Sequence, residues 1–159
     1  MNQSATLALT HALTLCQTHA AALREAVQDW RANDGNRVST LALTKEQLRI
    51  LDQFAYRYIR LQDDMGMKLF PAVLRVLGED VASMSMVDRL NRLEQLGWIY
   101  SAEAWMEHLR IRNEFAHDYP EAPAERHERI ALALGSAEVL VALLERMSLR
   151  LASIGIEVA

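Results

Sequence analysis

The N-terminal part of the chain repeats apolar side chains at the period of an α-helix. The spacings alternate between four and three residues, so these side chains fall on one face of a single long helix. The apolar positions of that face are Leu9, Leu13, Cys16, Ala20, Leu23, Val27 and Trp30. Residues 33–36 read Asn-Asp-Gly-Asn, which is typical of a turn, and they predict where this first helix ends.

A second helix is predicted from a similar stripe further along the chain. Its apolar positions are Leu51, Phe54, Tyr58, Leu61, Met65 and Leu69. Thr44 and Gln47 stand before it at the spacing of a capping box, in which each side chain binds the backbone N–H of the other residue. We expect Pro71 to kink or close this helix, because proline lacks the N–H that the helix needs.

A short third helix is predicted between two glycines. Gly78 marks a break in the helical pattern, and Gly97 stops the next one. Ser85 followed by Asp88 is typical of a helix N-terminus. The apolar positions of this helix are Met86, Leu90 and Leu93.

The fourth helix is bounded by a serine cap and a proline. Ser101 can cap its N-terminus, and Pro120 requires it to end near residues 115–119. One of its faces carries Trp105, Leu109 and Arg112. A long fifth helix beyond Pro123 is predicted from Ile130, Leu134, Ala137, Val141, Leu144 and Met147.

The helical stripes together predict one all-α domain over residues 1–159. No alternating strand pattern, internal repeat or linker competes with them. Each helix has one apolar face to bury, so an antiparallel bundle of about five helices is the natural packing.

Composition and charge narrow the possible functions. The formal net charge is −4, so the chain lacks the positive field of a protein that coats nucleic acid, and any RNA contact must be local. Cys16 is the single cysteine and the histidines form no ligand grouping, so we expect no disulfide, metal or cofactor. The N-terminal stripe has no basic residue before Arg24 and is interrupted by polar residues, so we expect neither export nor a membrane span, but a cytoplasmic protein.

Residues 112–119 crowd a cation, an amide, an imidazole and a phenol at one helix end. Arg112 falls on the apolar stripe of the fourth helix and therefore needs a partner: a carboxylate, a carbonyl or an anionic ligand. His117 lies five residues further on, and the two side chains diverge by about 140° on a straight helix. They can work together only if the backbone turns at Ala116 or if a second copy of the chain brings another pair alongside.

The segment resembles the signature of the HEPN superfamily, and most closely that of the HepT-type toxins. The matching residues are Arg112, Asn113, His117 and Tyr119. The resemblance implies a metal-independent endoribonuclease that acts as a homodimer with Arg112 and His117 in its active site. It also implies a toxin–antitoxin system in which an MNT-type nucleotidyltransferase antitoxin transfers AMP to Tyr119.

The chemistry of these side chains agrees with RNA cleavage. A base of near-neutral pKa can take the proton of a 2'-hydroxyl, and a cation can stabilise the charged phosphorane, which suits His117 and Arg112. Asn113 could position the phosphate or hold the ring of His117. On the second helix, Arg57 or Arg60 could hold substrate phosphate, while Asp63 or Asp64 could orient a catalytic side chain.

Plainer interpretations remain open for the same residues. Arg112 could form an ion pair with an acidic residue, and His117 could interact with the helix C-terminus. Arg57, Arg60, Asp64 and Lys68 could form a salt-bridged surface stripe with an Arg60–Asp64 pair. The chain could also be a noncatalytic HEPN subunit that binds a nucleotide or a nucleotidyltransferase, or a purely structural helical module.

Overall fold

A computed structural model of the protein describes residues 2–37, 42–117 and 123–157. Over these ranges it contains α-helices and no strand. The helices are α1 (Gln3–Ala32), α2 (Lys45–Asp64), α3 (Phe70–Val76), α4 (Met86–Gln95), α5 (Ala102–Ala116) and α6 (Pro123–Ser153). A π-helical turn, Met65–Leu69, joins α2 and α3 into one rod, so five helical rods form the bundle and the predicted all-α class is confirmed.

The predicted caps define the first residues of three helices. Thr44 Oγ1 accepts from the Gln47 N–H at 3.0 Å, and Gln47 Oε1 accepts from the Thr44 N–H at 3.0 Å. Ser85 and Asp88 form a second capping box at the start of α4. Ser101 Oγ accepts from the Ala104 N–H at 3.0 Å and so begins α5. These side chains satisfy N–H groups that the first helical turn leaves unpaired.

Pro71 does not close the second helix, so of the two predicted outcomes only a local distortion of the helix remains. The helical rod continues through Pro71 to Val76. Immediately before the proline the chain makes the π-helical turn, in which the Phe70 N–H donates to the Met65 carbonyl. In a regular α-helix the ring of Pro71 would meet the carbonyl four residues earlier, and one wider turn makes room for it.

Aromatic contacts at both ends of α5 attach it to the second rod. Near its start, the Trp105 ring lies 4.5 Å from that of Phe70. Near its end, the buried Phe115 ring lies 5.6 Å from Phe54 and 5.7 Å from Tyr58, edge to face in both cases. These contacts fix the end of α5, and with it the position of His117.

Across the three described ranges, the helices are too polar or too short to cross a lipid bilayer.

Candidate active site

The partner that Arg112 requires is Asp63 of α2. Arg112 Nε donates to Asp63 Oδ1 at 3.1 Å, and Nη2 donates to Asp63 Oδ2 at 2.7 Å. This two-point pairing holds the guanidinium plane in one orientation. The Arg112 side chain is 19% exposed and that of Asp63 is 33% exposed, so the pair lies at the surface between α2 and α5.

Arg112 keeps donors for a further ligand. Asn113 Oδ1 accepts from Arg112 Nη1 at 3.2 Å, so Asn113 contacts the guanidinium. A guanidinium has five N–H donors. Within the described ranges, Asp63 and Asn113 engage three of them, and the other two are available to an anion. The pairing therefore orients Arg112 without using all of its binding capacity.

His117 stands where the helix ends. Ala116 is the last residue of α5, and His117 has the extended backbone angles φ −81° and ψ 168°. The chain therefore leaves the helix at this point, as one of the two sequence-based alternatives required. The side chain of His117 is exposed, and within the chain no hydrogen bond or ion pair between described residues joins it to Arg112. Tyr119 lies outside the described residues.

Glu114, the acidic residue next to Arg112 and Asn113 in the sequence, forms an ion pair with Arg110. Glu114 Oε1 accepts from Arg110 Nη1, and Arg110 also pairs with Glu107. All three side chains are about half exposed and lie along the outer side of α5. Because Arg110 offsets its charge, Glu114 opposes an RNA phosphate less than an unpaired carboxylate would.

The expected Arg60–Asp64 ion pair is absent from the described residues, and this prediction was wrong. Asp64 is buried, with only 4% of its surface exposed, and it faces α1 rather than solvent. Its Oδ2 lies 3.2 Å from His19 Nε2, and its Oδ1 lies 3.7 Å from Lys68 Nζ. Since Asp63 and Asp64 are about 100° apart around the helix, neighbouring carboxylates contact different helices.

His19 is held between two charged groups of α2. Arg57 Nη1 lies 3.1 Å from His19 Nδ1, and a guanidinium can only donate, so Nδ1 accepts. The proton of the neutral ring is then on Nε2, facing Asp64. Burial lowers the pKa of His19, and Arg57 and Arg60 lower it further, while Asp64 opposes them. The ring therefore stays neutral near pH 7.

No role for His19 or for His108 was predicted from the sequence. Burial lowers the pKa of His108, which lies on α5 one turn before Arg112, and its Nδ1 lies 2.9 Å from the buried Ser136 Oγ. Both histidines occur on apolar stripes, beside Cys16 and Ala20 in one case and between Trp105 and Arg112 in the other. A polar ring at a core position is the signal that could have identified them.

No group of three or more potential metal-binding side chains comes together in the part of the chain that the structure describes. Comparisons with protein-family models, with curated proteins and with solved structures found no match to this chain.

Proposed function

We propose that this protein is a metal-independent endoribonuclease of the HEPN type, with Arg112 and His117 as its catalytic residues. One observation carries the proposal. Asp63 holds the guanidinium of Arg112 with two N–H donors to spare, and an exposed imidazole stands just beyond the end of the same helix. A fixed cation and an accessible base are the two groups that metal-free RNA cleavage needs.

In the proposed reaction, a 2'-hydroxyl oxygen attacks the neighbouring phosphorus while His117 takes the hydroxyl proton. The bond from phosphorus to the 5'-oxygen breaks, and that oxygen leaves with a proton from a second imidazole or from water. The products are a 2',3'-cyclic phosphate and a 5'-hydroxyl, with no change in oxidation state. Arg112 offsets the charge that develops on the phosphorane, and Asn113 helps to orient Arg112.

A second copy of the chain completes the proposed site. Within one chain no hydrogen bond or ion pair of the described residues joins Arg112 to His117, and the helix ends between them. In a twofold-symmetric homodimer formed around this helix end, Arg112 of one protomer and His117 of its partner would face one phosphate.

The wider biological setting follows from the HepT resemblance alone. We propose a cytoplasmic toxin of a HEPN/MNT toxin–antitoxin system, silenced when an MNT-type nucleotidyltransferase transfers AMP to Tyr119. A modification two residues after His117 would add bulk and negative charge where the RNA phosphate must bind.

A noncatalytic HEPN subunit, binding a nucleotide or a nucleotidyltransferase partner, is the second candidate. The observation that favours it is the pairing of Arg112 with Asp63, because this pair neutralises the guanidinium and is also what a purely structural arginine would form. This candidate predicts a stable complex with the partner and no RNA cleavage.

The deciding experiment is cleavage of a labelled single-stranded RNA by the purified protein in the presence of EDTA. We expect cleavage by the wild type, loss of cleavage in His117→Ala, and cleavage unchanged in the control His11→Ala, which removes another exposed histidine. An active His117→Ala variant would refute the assignment. A wild type that cleaves no RNA and binds a nucleotidyltransferase would favour the second candidate.

A further inference from the structure

The outward face of α2 carries two arginines that differ from several other surface arginines of the bundle. Arg60 is exposed and Arg57 is partly buried, and neither is paired with a carboxylate in the described ranges. By contrast, exposed arginines on α1 and α5 are neutralised by glutamates, namely Arg24 by Glu145, Arg31 by Glu138 and Arg110 by Glu107 and Glu114. In a chain of net charge −4, unpaired guanidiniums on one face form a local site of positive potential.

Arg57 and Arg60 lie on α2 in succession toward Asp63, which binds Arg112 in the candidate active site. At about 100° per residue, Arg60 lies about 60° around the helix from Arg57 and about 60° from Asp63, on the side between them. At about 1.5 Å per residue, Arg57 and Asp63 are about 9 Å apart along the axis. Because Asp63 binds Arg112, the three guanidiniums of Arg57, Arg60 and Arg112 follow one another across the solvent face of α2.

The exposed aromatic ring of Tyr56 lies beside Arg57. The Tyr56 side chain is 55% exposed, and the Arg57 guanidinium lies 5.3 Å from its ring centroid. The His19 ring also packs near Tyr56, with 6.4 Å between the ring centroids and the two ring planes 78° apart. Asp64 and Arg57 hold His19 in turn, so the tyrosine ring is supported by the buried network and remains open to solvent.

We propose that this face of α2 is a binding track for single-stranded RNA, in which Arg57 and Arg60 bind backbone phosphates and Tyr56 stacks on an unpaired base. Guanidiniums free of carboxylates recognise phosphate, and an exposed aromatic ring stacks on bases of any sequence. A duplex keeps its bases stacked on one another, so the track selects single strands. The choice of RNA as ligand rests on the proposed function.

Binding can be tested without catalysis by using a fluorescent single-stranded oligonucleotide of 2'-O-methyl residues, which has no 2'-hydroxyl to attack phosphorus. We expect Arg60→Ala to weaken binding about tenfold and to reduce the slope of log affinity against log salt by about 0.7, as expected for one lost phosphate contact. Tyr56→Ala should weaken binding about tenfold, and Tyr56→Phe should retain it. Arg75→Ala removes an exposed arginine of α3, outside the track, and serves as the control.

The track is refuted if Arg60→Ala behaves as Arg75→Ala does, if the wild type fails to bind the oligonucleotide, or if an RNA duplex competes as well as a single strand. Its failure is distinct from failure of the nuclease assignment. Binding that depends on Arg60 in a protein that cleaves nothing would support the track and refute the nuclease. Cleavage by the wild type with a KM that Arg60→Ala leaves unchanged would support the nuclease assignment and refute the track.

Discussion

Two aspartates that are adjacent in the sequence occupy very different surroundings in this protein. Asp63 faces α5, is one-third exposed and forms a two-point ion pair with Arg112. Asp64 faces α1 and is buried against a neutral histidine, His19. The helical turn of about 100° per residue separates the two carboxylates, and the depth of burial then sets the role of each. A residue type and its position along the chain are therefore not enough to assign function.

The two aspartates also differ in how much their contacts contribute to the stability of the fold. A surface ion pair contributes little to stability because solvent screens it, so Asp63 is available to orient Arg112 at small cost to the fold. A buried carboxylate is stable only with its partners in place, because the interior offers no water to replace them. We therefore expect Asp64 to matter mainly for folding and Asp63 mainly for activity.

The largest expected effect is on stability, at the buried aspartate. Asp64→Ala should lower the free energy of unfolding by about 3 kcal/mol, because it removes the buried carboxylate that faces His19 Nε2 and leaves that N–H without an acceptor. Asp63→Ala should cost about 1 kcal/mol or less. Denaturant unfolding of both variants measures the difference, with the exposed Asp52→Ala of α2 as the control. If both variants lost the same free energy of unfolding, burial would not explain a difference in role between Asp63 and Asp64.

The next effect is on RNA cleavage and concerns the exposed aspartate. On the proposed function, Asp63→Asn should lower kcat by about a hundredfold, because the amide cannot accept both Arg112 N–H groups and the guanidinium loses its fixed orientation. Its unfolding midpoint should stay close to that of the wild type. Single-turnover cleavage at saturating RNA measures kcat, and a wild-type rate would show that Asp63 does not position Arg112.

Many of the observed contacts were predictable because local rules determine them. The helical stripes and the caps at Thr44, Ser85 and Ser101 depend on residues three or four positions apart, so the sequence alone reveals them. The need of Arg112 for a partner was also predictable, since it lies on an apolar stripe. Its choice of Asp63, 49 residues earlier, depends on how α2 and α5 pack.

The unpredicted features are those in which packing overrides a local rule. The π-helical turn resolves a conflict between Pro71 and a rod that continues to Val76. The expected Arg60–Asp64 pair obeyed helical spacing, yet Asp64 turned toward α1, where His19 offered a buried partner. Tyr119 and the dimer lie beyond the described geometry of one chain, so these parts of the site stay predictions.

The smallest predicted effect is the pH dependence of stability. The pKa of His19 and that of His108 are lowered by burial in the folded state, while in the unfolded chain they return to about 6.5. The unfolded state therefore binds more protons as the pH falls below 6.5, and the folded state loses stability there, whereas near pH 7.5 the contribution is complete. Unfolding free energies measured from roughly pH 7.5 to 5.5 should fall in the wild type.

The double variant His19→Gln/His108→Gln should show a shallower fall over the same range, because glutamine does not titrate. His11→Gln, which removes an exposed histidine, should keep the wild-type slope. A double variant as steep as the wild type would mean that other groups cause the acid sensitivity.

The central proposal is that Arg112 of one protomer and His117 of its partner act on one RNA phosphate. Mixing Arg112→Ala and His117→Ala chains under conditions of subunit exchange tests it directly, because each chain alone lacks one catalytic group. In an equimolar mixture about half of the dimers carry both kinds of chain, and each of these holds one complete site of two, so cleavage should return to about a quarter of the wild-type rate. A mixture as inactive as its two components, with subunit exchange verified, would contradict the proposal.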